Sequence, residues 1–139
     1  MRGPWWFRLA TIAFLLWALM GVFACIQQFR LGAEAMGPAS DYDRALFARL
    51  PIWYMADYAV ATGTALLGAL ALLAGSVLAI PLLTISLVAV MIQFGWMFAM
   101  TDIIAAKGIW TIYFPLLITA IAAVALRLAH LARRRRWIA

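Results

Sequence analysis

Four long runs of apolar residues, with almost no charge inside them, fill most of the 139-residue chain. A helix needs about 20 apolar residues to cross a bilayer core about 30 Å thick, so each run is long enough to span a membrane. The runs are apolar on all sides and do not alternate, which favours helices over barrel strands. The predicted spans are residues 5–28, 51–73, 78–100 and 108–131. The pattern predicts an all-α transmembrane four-helix bundle that forms a single domain, residues 1–139.

The connections between the predicted spans differ in length. Residues 74–77 join the second and third spans, and so short a link makes these two helices antiparallel neighbours. The loop of residues 29–50 has room for structure of its own. Within it residues 40–43 (Ser-Asp-Tyr-Asp) resemble a capping box, and an apolar stripe begins at Leu46. We predict a short amphipathic helix on the membrane surface, with an irregular solvated loop as the alternative.

Composition agrees with a membrane protein. Hydrophobic residues make up 68% of the chain and charged residues 12%, whereas soluble domains have about half and a quarter. A soluble protein of this size could not bury so much apolar surface. The single cysteine, Cys25, excludes an internal disulfide and a Cys-based zinc site. The sequence has no metal-ligand cluster, catalytic triad or nucleotide-binding loop, so we predict no enzyme activity, no cofactor and no metal.

Arginine placement predicts the orientation. Arg2 and Arg8 lie at the start of the first span, and a basic tail, residues 132–139, follows the fourth. The positive-inside rule then puts both termini in the cytoplasm and loop 29–50 in the periplasm. The excess of Arg over Lys, together with abundant Ala, is typical of a GC-rich bacterial genome. We predict the bacterial inner membrane as the location.

The tail contains an uninterrupted run of arginines: Arg133, Arg134, Arg135 and Arg136. Such a run also resembles a nucleic-acid-binding patch. Directly after a transmembrane helix, a topological anchor that holds anionic lipid headgroups is the better interpretation. We therefore predict lipid as its partner and no nucleic acid. Further into the span, Arg127 is expected to extend towards the interface.

The first span also resembles a lipoprotein signal peptide. A basic start and an apolar stretch lead to residues 22–25 (Val-Phe-Ala-Cys). Cleavage there would attach lipid to Cys25 and leave three spans. Bulky Phe23 fits the cleavage site poorly, so we expect the first span to be retained.

Polar residues inside the predicted spans concentrate towards the periplasmic side. Asp57 lies six positions after Pro51, which is about 9 Å into the membrane. A carboxylate there usually faces the bundle interior or water. Interhelical hydrogen bonding, or an interfacial Asp57 that reaches water, is the favoured interpretation, and a small outward-facing polar cavity is the functional alternative. The candidate cavity residues are Asp57, Gln93, Gln27, Gln28, Tyr58 and Thr64.

Small residues recur along the second span at helical spacing. They let helix backbones approach closely, with either the third span or another subunit as partner, and the short hairpin favours the third span. The predicted packing positions are Ala61, Ala65, Gly68 and Ala69.

Three short motifs carry a resemblance to a known family. They are residues 15–17 (Leu-Leu-Trp) with Gly21, residues 50–53 (Leu-Pro-Ile-Trp), and residues 80–88, which begin Ile-Pro-Leu-Leu. The chain resembles a family of small four-span bacterial inner-membrane proteins that are often automatically labelled sugar transporters. The resemblance implies a polar residue after the first-span tryptophan and an acidic residue after the glycine. This chain has Ala18 and Ala24 at those positions.

Two classes of function remain open at this point. The first is an accessory or structural subunit of a larger membrane protein complex, which fits the small size and the lack of soluble domains. The alternative is an oligomeric small-solute, sugar-like transporter that uses the cavity around Asp57 and Gln93. Other membrane subunits or further copies of the chain are the expected protein partners.

Overall fold

The computed structural model describes residues 3–32, 41–100 and 112–138. In these ranges the chain forms α1 (Trp5–Leu31), α2 (Asp41–Ala48), α3 (Ile52–Leu73), α4 (Ala79–Met100) and α5 (Tyr113–Arg134). The four long helices are each long and apolar enough to cross a membrane. The predicted all-α four-helix bundle is confirmed, and the protein is a small multi-pass membrane protein.

The helix boundaries lie close to the predicted ones. Two helices begin directly after a proline, α1 after Pro4 and α3 after Pro51, because proline lacks the N–H that the first turn would leave unpaired. Helix α1 continues to Leu31, three residues past its predicted end, and stops at Gly32 with φ 63°. The predicted start of the fourth span, residue 108, lies outside the described residues.

The short helix predicted in the first loop is present as α2. Ser40, the predicted cap, lies outside the described residues. Leu46 is buried, and the ring of Phe47 lies 3.4 Å from the position that a Cβ on Gly32 would occupy. The apolar stripe of α2 therefore packs against the end of α1, and the alternative of an irregular loop is wrong for residues 41–48.

The long helices pack in the order α1–α3–α4–α5, and the α3–α4 pair has the most extensive contact. A tight turn joins α3 to α4, as predicted from the short link. The Ser76 N–H donates to the Ala71 carbonyl at 2.8 Å, and the Gly75 N–H to the Leu72 carbonyl at 3.1 Å. These two bonds form a Schellman motif, which requires positive φ at Gly75, where it is 75°.

A second Schellman motif ends α5 without a glycine. The Trp137 N–H donates to the Ala132 carbonyl at 2.8 Å, and Arg136 has φ 60°. The turn brings the Trp137 ring back onto α1, with its centroid 5.4 Å from Trp6 and 5.0 Å from Phe7. We call this end of the bundle, with Gly3, the α3–α4 turn and residues 133–138, the basic end. The other end, with Leu31, Ile52 and Met100, is the distal end.

The small-residue face of α3 packs against α4. A Cβ added to Gly68 would lie 2.6 Å from Leu83 Cδ2. Further along, the buried Ser86 Oγ donates a hydrogen bond of 2.7 Å to the Ala61 carbonyl. Ala69 is fully buried in the core cluster, and Ala65 packs against that cluster. The close approach that these positions allow is therefore made within the chain.

Candidate functional site

A cavity of about 280 Å³ lies in the distal half of the bundle, between all four long helices. This volume is close to the lower end of the range for ligand sites, about 300–1,000 Å³. Much of its wall is aromatic or aliphatic. The wall includes Phe14, Trp17, Ala18, Gly21, Ala24, Tyr58, Thr62, Ser86, Gln93, Phe94 and Phe114.

Three of the polar side chains in the wall, Ser86, Thr62 and Gln93, already have partners. Ser86 donates to the Ala61 carbonyl, and Thr62 Oγ1 donates to the Tyr58 carbonyl at 3.0 Å. A side-chain hydrogen bond also joins Gln93, which is buried, to Tyr54 one turn before Tyr58 on α3. The wall can therefore offer acceptor oxygens and the Tyr58 hydroxyl at one side, and an apolar surface elsewhere.

Of the six residues predicted to form a cavity, the structure brings two together in its wall, Gln93 and Tyr58. Thr64 lies outside it and donates to the Val60 carbonyl at 2.6 Å. Gln27 and Gln28 also lie outside it, and Gln27 accepts a hydrogen bond of 3.0 Å from Arg30. Both glutamines sit in the last turn of α1, beyond the distal limit of the cavity.

Asp57 lies next to the cavity wall but is not part of it. Its side chain is half-buried, and the Oδ2 atom is buried with no hydrogen-bond partner among the described residues. A cluster of three aromatic residues lies beside it: Trp53 and Tyr54 one turn earlier on α3, and Trp96 on α4. The ring centroids of Trp53 and Trp96 are 6.2 Å apart, and those of Tyr54 and Trp96 are 5.4 Å apart. A buried carboxylate oxygen beside aromatic rings is an environment that favours a cation.

Sequence reasoning missed most of the wall. Trp17 and Phe114 face each other across α1 and α5, with ring centroids 6.4 Å apart. Cys25 is buried close by and hydrogen-bonds Thr62. The signal for Trp17 was available in the motif of residues 15–17. Phe114 had no such signal, because an aromatic residue in an apolar span equally well faces lipid.

A second opening adjoins the cavity, on the side where α1 and α5 face each other. It is an apolar groove of about 490 Å³ in the basic half of the bundle, lined by Ala10, Ala13, Phe14, Trp17, Ala120, Ile121, Val124, Ala125 and Leu128. In the described ranges α1 and α5 approach each other less closely than the three packed helix pairs do. Phe14 and Trp17 belong to both walls, so they separate the groove from the cavity.

The remaining predicted positions lie away from the cavity or only at its edge. Ala61 and Ala65 contribute to the wall, whereas Gly68 lies beyond it against Leu83 of α4 and Ala69 lies beyond it in the core cluster. The four arginines of the tail are exposed at the basic end. Within residues 3–32, 41–100 and 112–138, no three His, Cys, Asp or Glu side chains come together as metal ligands.

None of the protein-family models, curated proteins or solved structures with which the chain was compared matches it.

Proposed function

We propose that the protein is a small-solute carrier that binds a neutral or cationic amphipathic molecule in the cavity between its four long helices. The observation that carries the proposal is the wall itself, in which an aromatic surface is joined to a small polar group around Tyr58 and Gln93. Concave, mostly apolar sites with a few convergent polar groups are the usual form of a small-molecule site. The role is binding and transfer, not catalysis.

The chemistry of the wall limits the solute. The described wall contains no Lys, Arg or His, so an anion would lose its hydration without gaining a counter-charge. Aromatic faces attract cations. Asp57 lies outside the wall but is the sequence neighbour of Tyr58, which is part of it. The apolar remainder favours an aromatic or aliphatic body over one that is hydroxylated throughout.

The family resemblance supports the same site and modifies the solute. Ala18 and Ala24, which stand where the resemblance implies polar and acidic residues, both line the cavity. Polar groups at these positions would suit a sugar, which needs hydrogen bonds around its whole ring. With alanine at both, we propose a solute with fewer hydroxyl groups than a sugar. Transfer across the bilayer needs a longer path than this cavity, so we propose that several copies act together.

The test uses three probes with one ring system and different charge: 1-naphthol, 1-naphthylmethylammonium and 1-naphthoate. The protein in lipid nanodiscs is dialysed against each probe, with empty nanodiscs as the blank. The neutral and cationic probes should bind at one site per chain, and the anion should not. Ala122→Phe should abolish this binding because Ala122 lines the cavity, whereas Ala123→Phe, on the exposed face, should retain it. Equal binding by both variants would refute the proposal.

We propose that the protein resides in a bacterial inner membrane with its basic end in the cytoplasm. The contact of Trp137 with Phe7 supports placing both terminal regions on one side. The exposed run at residues 133–136 supports the cytoplasm as that side. Alkaline phosphatase fused after residue 138 should be inactive, and the same enzyme inserted at residue 50, in the first loop, should be active. The reverse pattern would refute this orientation.

An accessory subunit of a larger membrane complex is the second candidate. This candidate is favoured by the exposure of α5. Among the four spans, α5 has the smallest share of buried residues, and it packs mainly on α4. A helix with so little internal contact has surface to offer a partner. Extraction in mild detergent followed by mass measurement of the intact particle separates the two candidates. A stoichiometric complex with other proteins supports the subunit, and a homo-oligomer or monomer supports the carrier.

A further inference from the structure

We infer that the groove between α1 and α5 is a binding site for one anionic phospholipid, whose acyl chain lies in the groove and whose phosphate is bound by Arg127 and Arg134. This site is separate from the proposed solute cavity and does not depend on it.

The groove has the shape and chemistry that an acyl chain requires. Its wall consists of alanines, larger aliphatic side chains and the two aromatic residues Phe14 and Trp17. It lies on the lipid side of the bundle, because Val124 in its wall is 66% exposed. The groove occupies the basic half of the bundle and ends at Phe14 and Trp17. An acyl chain that enters it from the basic end therefore reaches about the middle of the bilayer.

Arginines continue the line of the groove towards the basic end. Ala120 and Val124 are followed at helical spacing by Arg127 and Arg134, so all four lie on one stripe of α5. Both arginines are exposed. Arg127 lies seven residues before the end of α5, about 10 Å inside it. A cation at that depth is unfavourable in hydrocarbon unless its side chain reaches water or an anionic group at the interface.

Within residues 3–32, 41–100 and 112–138, no acidic side chain lies at the basic end. The five acidic residues of the chain are Glu34, Asp41, Asp43, Asp57 and Asp102. Of these, the structure describes Asp41 and Asp43 on α2 and Asp57 in the first turns of α3, and all three positions belong to the distal end. The described part of the chain therefore supplies no acidic counter-charge for Arg127. A phospholipid supplies one from the headgroup of the same molecule whose tail fills the groove, and arginine suits phosphate because it can donate two parallel hydrogen bonds.

The test is native mass spectrometry of the detergent-purified full chain, titrated with phosphatidylglycerol or with phosphatidylcholine of the same chain length. One phosphatidylglycerol per chain should bind in preference to phosphatidylcholine. Arg127→Gln should weaken phosphatidylglycerol binding about tenfold, the order expected for loss of a charge-assisted hydrogen bond. Val124→Trp should prevent binding by filling the groove, and the smaller change Ala120→Leu should weaken it.

Two matched controls show whether site and charge are specific. Arg133→Gln removes the same charge from a different face of α5, and Val88→Trp adds the same bulk to an exposed position on α4. Arg133→Gln should weaken phosphatidylglycerol binding less than Arg127→Gln does, and Val88→Trp should leave it unchanged. Equal losses for Arg127→Gln and Arg133→Gln would overturn the proposal in favour of diffuse charge attraction. If the chain is a dimer that Val124→Trp dissociates while lipid binding is unchanged, the groove is occupied by a second copy of the chain and the proposal is overturned.

Discussion

Leu83 of α4 packs directly onto Gly68 of α3, so closely that a Cβ at Gly68 would lie 2.6 Å from Leu83 Cδ2 and 2.8 Å from its Cγ. Leu83 is itself almost fully buried, and its branch point as well as its tip is in the way. The backbone of α3 can approach α4 at this level only because position 68 has no side chain.

Gly68→Ala should therefore lower the free energy of unfolding by about 1 kcal/mol. Alanine gains about 1 kcal/mol in helix propensity, but overpacking a buried contact costs about 1–3 kcal/mol. Gly63→Ala is the matched control, because no atom lies within 4 Å of its Cβ position, and it should stabilise the protein. Denaturant or thermal unfolding in detergent gives both values. If the two variants are equally stable, Leu83 does not limit the approach.

A double variant tests the same contact from the other side. Leu83→Ala removes the atoms that meet the new Cβ. Adding Gly68→Ala to a chain that already carries Leu83→Ala should then cost less than adding it to the unmodified chain. Additive effects would mean that Gly68 is required for some other reason.

Glycine should be more favourable than arginine at position 136. Its φ of 60° places an L-residue in the left-handed region, at a cost of about 1–2 kcal/mol that glycine avoids. Arg136→Gly should raise the stability by about 1 kcal/mol, as measured by thermal unfolding. Arg135→Gly is the control of equal charge, because Arg135 has φ −87° and gains nothing from glycine. A loss of stability in Arg136→Gly would show that the turn onto Trp6 and Phe7 is not retained in the membrane.

Asp57 should limit stability while serving solute binding. Its buried Oδ2 atom accepts no hydrogen bond from the described residues, and an unpaired buried polar atom costs about 1–3 kcal/mol. Asp57→Asn should therefore raise stability by about 1 kcal/mol and remove any preference for the cationic naphthyl probe over the neutral one. The control is Asp41→Asn, since Asp41 is exposed and pairs with Arg44 at 3.4 Å. A marked loss of stability in Asp57→Asn would mean that the carboxylate has a structural partner.

The spans could be predicted because each must be apolar over its whole length to exist in lipid. Helix α3 was predicted as residues 51–73 and is Ile52–Leu73, and its tight turn into α4 was predicted from the four-residue link 74–77. The second Schellman motif had no signal in the sequence, because arginine occupies the left-handed position. The return of Trp137 to Phe7 was therefore outside what the pattern could predict.

The candidate site was only partly predictable for the same reason. Polar residues such as Gln93 and Asp57 are conspicuous in an apolar span, so both were selected. The cavity-facing sides of α1 and α5 cannot be recognised in this way, because lipid and the protein interior favour the same apolar side chains. Ser86 lies in the family-like motif of residues 80–88 and has no other signal in the sequence, although its hydroxyl donates the interhelical hydrogen bond from α4 to the Ala61 carbonyl.

The packing order α1–α3–α4–α5 has a mechanical consequence. The helices form an arc with three packed interfaces, and the groove takes the place of a fourth. Moving α1 away from α5 changes the cross-sectional area of the protein without breaking these three interfaces, although it separates the Trp137 ring from Phe7. Lateral pressure in the bilayer acts on that area, and the space behind Phe14 and Trp17 widens or narrows with it. The affinity of the proposed solute site should therefore depend on the composition and tension of the membrane.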